Sequence, residues 1–200
     1  MAKKVICLDF DDTLGKFERY GLLRVMPFSA LYAAAHLPEW RPGIYKFLMD
    51  LQIFYRDVAF VITTQAKRRY VLHCLSHFPE ISRFFVKIYT RKLMTGEEGK
   101  NYYLVANDFG VDAGDLIAIG DSVYDRDNDN HFVSIRLKYE TSIMAVKYLL
   151  VHLEEEFLIG YEKLPEKFYL GNRYFVWKDK RSKQIVIESL LDKMFKFPYV

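Results

Sequence analysis

Cysteine is scarce in this chain: Cys7 and Cys74 each lie inside an apolar stretch, and no paired spacing links them. That excludes a disulfide framework, fits a reducing compartment and makes a cytoplasmic location the expectation. No apolar run approaches the ~20 residues that a helix needs to span a bilayer. At the N-terminus Val5-Ile6-Cys7-Leu8 follows two lysines but is cut off by Asp9. A secretory signal needs about 7–15 apolar residues, so no cleavable signal is expected. A strong charge of one sign is missing as well. The net charge is only +3, too mild to be a nucleic-acid-binding signature. Repeats, low-complexity tracts and flexible linkers are absent, so one core domain over residues 1–158 with a C-terminal extension over 159–200 is the simplest organisation.

What is present reads as a globular chain able to bury a core, with 51% hydrophobic and 28% charged residues. Short continuous apolar runs at 5–8, 58–62, 85–89, 116–119 and 133–137 have the character of strands buried on both faces. Helical spacing lies between them. Val71, Leu75 and Phe78 form one such face, and Tyr102, Val105, Ala106 and Phe109 another, with Gly110 placed to end it. Ile143, Val146, Leu150, Leu153 and Phe157 mark a longer helix closing near Gly160. A helix is expected to open at Arg41-Pro42-Gly43, and a further helical stretch lies around residues 28–35. Strands alternating with helices predict a three-layer α/β/α fold around a mostly parallel five-stranded sheet. In the extension, 173–178 and 184–188 read as a β-hairpin around 179–183, with a short amphipathic helix after it.

Chemistry concentrates where the buried runs end. In Asp9-Phe10-Asp11-Asp12-Thr13, alternate residues of extended chain point the same way. Asp9 and Asp11 can then both face the crevice beyond the strand's carboxyl end, where open α/β sheets bind ligands. Clustered carboxylates at a hydrophobic strand end repel one another and lose solvation. A hard divalent cation such as Mg²⁺ removes that cost. Gly120-Asp121-Ser122-Val123-Tyr124-Asp125 follows another buried run and adds two carboxylates. Thr63 ends the 58–62 run beside a helix start, a setting suited to a phosphate oxygen, with Thr64 as a competitor. Lys100 opens the helix before the 116–119 run; a cation there opposes the helix dipole, so an anionic site is its best explanation.

In this order and spacing, these four segments resemble the haloacid dehalogenase superfamily of phosphohydrolases, over about residues 4–137. Arg41-Pro42-Gly43 before an apolar helix is a further similarity. The resemblance implies a Rossmann-like fold and an Mg²⁺-dependent phosphatase with an aspartyl-phosphate intermediate. It makes Asp9 the nucleophile and a metal ligand, and Asp11 the general acid and base with its carbonyl on the metal. Thr63 would bind the phosphoryl group, Lys100 would neutralise nucleophile and phosphate, and Asp121 and Asp125 would complete the metal site. The first strand would lie between those carrying Thr63 and Asp121. Asp12 stands where many members carry Gly, so the local turn and its electrostatics are expected to differ.

Neither insertion point used by capped members has room for a full cap domain, and an open site admits large substrates. A phosphorylated macromolecule met by a monomer is therefore expected, with phosphoprotein favoured over a nucleic-acid end or a small metabolite. Lys67, Arg68 and Arg69 form a basic rim for acidic flanking sequence, and Tyr124 and Phe17 are candidates for stacking on a substrate ring. A response-regulator receiver orders its acidic pair, Thr and Lys differently. A catalytically silent scaffold is disfavoured because every expected catalytic position is filled. His73 and His77, four apart on a helix, lack a third ligand and read as packing or surface histidines.

Overall fold

The computed structural model describes residues 4–17, 39–95, 100–112, 115–123, 133–138, 141–154 and 164–190. The chain runs β1 (Lys4–Leu8), β2 (Gly15–Lys16), β3 (Glu39–Trp40), α1 (Ile44–Phe54), β4 (Val58–Thr63), α2 (Arg68–Ser76), α3 (Pro79–Ser82), β5 (Phe85–Tyr89), α4 (Arg91–Met94), α5 (Tyr102–Phe109), β6 (Leu116–Gly120), β7 (Val133–Leu137), α6 (Met144–His152), β8 (Lys167–Leu170), β9 (Tyr174–Asp179) and β10 (Gln184–Ser189). All five apolar runs form strands, but β5 is an edge strand with Val86 and Lys87 exposed, where burial on both faces was expected. The expected stretch at 28–35, the end of the long helix near Gly160 and the helix after the hairpin lie outside the described residues.

The main sheet has the order β5-β4-β1-β6-β7-β10-β9-β8, so it holds eight strands where five were expected. From β5 to β10 every pairing is parallel, and only the pairings of β9, with β10 and with β8, are antiparallel. The three extra strands come from the C-terminal extension, whose hairpin pairs with β7 instead of standing apart. Val133, Ile135 and Leu137 would otherwise leave β7 as an apolar edge, an invitation to aggregation that β10 removes. Strand β8 escaped the sequence reading because its alternation covers only four residues, with Lys167 and Tyr169 exposed and Phe168 and Leu170 half-buried. β2 and β3 form a separate ribbon in which Gly15 pairs with Trp40. A Cβ on Gly15 would collide with the Glu39 carbonyl oxygen and the Phe17 ring, so glycine is required there.

Alternation along β1 builds a core on each face. Ile6 and Leu8 join Phe47, Leu48, Val71, Cys74, Val146 and Leu149 from α1, α2 and α6. Val5 and Cys7 join Met94, Tyr102, Val105 and Ala106 from α4 and α5. Each Val, Leu, Ile, Phe or Met side chain among them contributes roughly 1.5–3 kcal/mol by leaving water, which makes β1 a rigid base for the residue that follows it. Gly43 precedes α1 at φ 84, and Gly110 ends α5 at φ 60, as the helix-stop reading expected. Pro79 opens α3, which separates Phe78 from α2. Among the described residues no helix is long and apolar enough to cross a membrane.

Candidate active site

Leu8 pairs with Ile62 of β4 on one side and Ile119 of β6 on the other. The next backbone amide, that of Asp9, donates to the Ile119 carbonyl at 2.9 Å. Asp9 therefore emerges at the carboxyl edge between the strand that ends in Thr63 and the strand that precedes Asp121, as expected. The chain then turns sharply: Thr13 N–H donates to the Asp11 carbonyl, Leu14 N–H to Phe10 and Asp12 N–H to Gly15. Asp12 sits in the left-handed region at φ 55. That conformation explains why glycine suits this position and why aspartate, one of the few side chains that tolerate it, can replace it.

Arg41 holds this turn from outside. Its Nε donates to the Thr13 carbonyl at 2.8 Å, Nη1 to the Thr141 carbonyl at 2.7 Å and Nη2 to the Asp12 carbonyl. The guanidinium is buried, so these carbonyls replace water around its charge. The sequence reading marked the Arg-Pro-Gly segment but saw no role for this side chain, because its partners lie 28, 29 and 100 residues away.

Lys100 reaches the same edge from the residue before Asn101, the true N-cap of α5, whose side chain accepts from Leu104 N–H. Its Nζ lies 2.5 Å from Asp9 Oδ1 and donates to the Thr63 carbonyl at 2.8 Å. With only 3% of its side chain exposed, this ammonium is stable because a carboxylate faces it. Thr63 is itself fully buried, and its hydroxyl has no hydrogen-bond partner among the described residues. Thr64, the competitor, is also buried, and its hydroxyl oxygen accepts from Ala66 N–H at 3.0 Å, which leaves the hydroxyl hydrogen free to donate. Directly behind Asp9, burial pushes the Cys7 thiol far above its ordinary pKa, an effect the Lys100 charge only partly offsets. Cys7 is thus an inert core residue and not a rival nucleophile.

Asp11 Oδ1 accepts a 2.8 Å hydrogen bond from the Tyr70 hydroxyl on α2. Nothing in the sequence marked Tyr70, whose ring also meets Phe10 edge-on at 5.9 Å. Asp121 follows the end of β6 and is partly exposed, and Asp125 and Tyr124 lie outside the described residues. Among the described residues no three His, Cys, Asp or Glu side chains cluster as a metal site. Even so, Asp9 and Asp121 present carboxylates at adjacent strand ends, a hard-oxygen donor set that fits Mg²⁺. Phe17, a candidate for substrate stacking, is fully buried and stacked on Phe10 at 4.3 Å, so it belongs to the core. The His73 and His77 rings meet edge to face at 5.0 Å, with no third ligand among the described residues.

The chain matches no protein-family model and no curated protein. It does match solved structures. A predicted phosphoglycolate phosphatase from Haemophilus somnus 129PT aligns over 72% of this chain and 91% of its own, at 13% identity and a TM-score of 0.54. A hydrolase from Streptococcus pneumoniae TIGR4 aligns over 76% and 100%, at 14% identity and 0.52. A HAD-superfamily hydrolase from Ehrlichia chaffeensis aligns over 76% and 98%, at 12% identity and 0.51. The fold is that of the haloacid dehalogenase hydrolases. The four motif segments thus sit on the framework that the sequence resemblance implied, with strand β1 between β4 and β6.

Proposed function

We propose that this chain is an Mg²⁺-dependent phosphomonoester hydrolase that forms an aspartyl-phosphate on Asp9 and acts on phosphorylated protein side chains. The observation that carries the reading is the Lys100 ammonium, buried and bridging the Asp9 carboxylate and the Thr63 carbonyl. Three motif positions far apart in sequence meet there at one strand edge. The metal would be held by Asp9, Asp121, Asp125 and the Asp11 carbonyl, and would supply neutralisation of the phosphate's negative charge.

The chain's own residues carry the chemistry. Lys100 offsets the repulsion between the Asp9 carboxylate and a phosphate dianion. Thr63 offers its uncommitted hydroxyl to a phosphoryl oxygen. An Asp9 oxygen bonds to phosphorus as the ester P–O bond breaks, and the Asp11 carboxyl gives its proton to the leaving oxygen. Ionised Asp11 then takes a proton from the water that attacks the aspartyl-phosphate, and the bond to Asp9 breaks as inorganic phosphate forms. The Tyr70 hydroxyl holds the Asp11 carboxyl in place through both steps.

Two features support a macromolecular substrate. The described residues between Thr63 and Lys100 are occupied by α2, α3, β5 and α4, which leaves no room for an inserted cap there. Exposed Lys67, Arg68 and Arg69 open α2 with no acidic residue in its first turn, and Arg91 binds the carbonyl of Gln65 in the loop before them. This basic rim suits an acidic peptide flank.

The test is phosphate release, with and without Mg²⁺, from phosphotyrosine, phosphoserine and phosphothreonine peptides, end-phosphorylated oligonucleotides and sugar phosphates. Phosphopeptides are expected to be turned over fastest. Asp9→Asn should lower turnover at least about a thousandfold, the scale of losing a nucleophile. Unchanged activity in that variant would falsify the mechanism, and preference for oligonucleotide ends would overturn the substrate class.

A further inference from the structure

The strand that the C-terminal extension adds beside β7 carries one polar side chain that is fully buried, Gln184. Its Nε2 donates to the Ser122 carbonyl at 3.0 Å and to Ser134 Oγ at 3.4 Å. A carbonyl can only accept, so the contact to Ser122 identifies which end of the amide is nitrogen. An amide NH₂ has two hydrogens, and both are engaged.

The register gives this contact its meaning. Ser134 pairs with Ala118, two residues before the end of β6, yet the same amide reaches Ser122, two residues beyond that end. The chain therefore folds back over the sheet immediately after Asp121. The amide of Gln184 joins the backbone next to Asp121 to the interior of the sheet.

Resting on the reading of Asp121 as a metal ligand given above, we infer that Gln184 is a positioning residue for the cation site. The C-terminal hairpin is thereby part of the active-site framework, because it holds the loop that aims the Asp121 carboxylate. Leu or Met at 184 would fill the space but release the Ser122 carbonyl. Glu would set a second acceptor against that carbonyl.

The experiment compares Mg²⁺ binding by calorimetry on the full chain, without substrate, with the Mg²⁺ and substrate dependence of turnover. Gln184→Met and Gln184→Glu are expected to weaken Mg²⁺ binding about 10–100-fold, the usual scale for partners of metal ligands. The substrate KM at saturating Mg²⁺ should stay within about threefold, since the substrate contacts are elsewhere. Ile185→Val, a neighbouring core change in β10, controls for general loosening of the strand and should leave Mg²⁺ binding unaltered. If either Gln184 variant binds Mg²⁺ like the wild type, or Ile185→Val weakens binding as much, the inference fails. A variant that does not fold is replaced in the comparison by its partner at the same position or by Ser134→Ala, which removes one acceptor and should give a smaller loss in the same direction. Asp121→Asn separates the two levels. If it abolishes binding while the Gln184 variants bind Mg²⁺ like the wild type, only this inference falls. A wild type that binds no Mg²⁺ overturns the metal reading with it.

Discussion

The half of the sheet built from β4, β1 and β6 is apolar on both faces, whereas the half built from β7 and β10 is apolar on one face and mostly polar on the other. In the first half, Ile6, Leu8, Phe60 and Ile117 meet one helical layer, while Val5, Cys7, Val61 and Ala118 meet the second. In the second half, Ile135, Ile185 and Ile187 join the first core. The alternate positions are Ser134 and Arg136 on β7 and Gln184, Val186 and Glu188 on β10, of which only Val186 is apolar, with Arg136 paired to Asp179 at 2.9 Å. The first half can afford charged groups only at its strand ends, because nothing in its interior solvates them. That confines Asp9, Thr63, Lys100 and Asp121 to a single edge. The second half carries no motif residue, yet its polar face is what reaches the Asp121 loop. The motif residues sit on the apolar half, and the loop after Asp121 is hydrogen-bonded from the other.

Substitutions can break this contrast. The largest effect is expected from Lys100→Met, which keeps the buried stem but removes the ammonium facing Asp9. Turnover should fall about 10²–10³-fold, as on losing a preorganised charge at the reacting centre. A loss smaller than about tenfold would make Lys100 a structural residue and take the chemistry off that edge.

Next in size, Ile187→Ala in β10 opens a cavity at a fully buried position. Urea unfolding should show a loss of about 2–5 kcal/mol, with turnover per folded molecule unchanged. A parallel collapse of turnover at low urea would mean that the two halves are coupled through packing and not through Gln184 alone.

A smaller change is expected from Asp12→Gly, where glycine relieves the left-handed backbone at φ 55. Thermal unfolding should report a gain of roughly 0.5–1 kcal/mol with activity altered only a few-fold. Destabilisation instead would mean that the Asp12 side chain itself holds the turn.

The smallest effect concerns α1 and α6, which the Lys147–Asp50 hydrogen bond joins at 2.6 Å. That bond, then the one from Lys46, holds the Asp50 carboxyl below its ordinary value of 3.8. A carboxyl depressed in the folded state stabilises it above the unfolded value, and the contribution is lost as pH falls through the folded one. Asp50→Asn should therefore flatten the acid limb of a melting-temperature profile below about pH 4. An unchanged limb would show that the pair contributes nothing measurable.

Much of this was readable beforehand from local pattern. The five apolar runs, the Gly110 helix stop and the hairpin each rest on contacts within a few residues, and they stand within a residue or two of their expected places. The motif residues were legible because few arrangements put three aspartates after one apolar run and two more after another. The partner of β10 was not legible, because alternation fixes which face a side chain takes but not which strand lies beside it. Phe17 was misread for a related reason: an aromatic next to a motif looks the same in sequence whether it faces substrate or stacks on Phe10.

By itself, then, the sequence determined where the strands and helices lie, which of their faces are apolar, and which chemical groups stand at the strand ends. Those features depend on the geometry of a few consecutive residues and on side-chain type. Tertiary structure alone decided that Lys100 meets Asp9 from 91 residues away, that Arg41 and Tyr70 hold the turn after Asp9, and that Gln184 reaches Ser122 from a strand 62 residues later. Those contacts depend on strand order and parallel register, which emerge only when the whole chain packs at once.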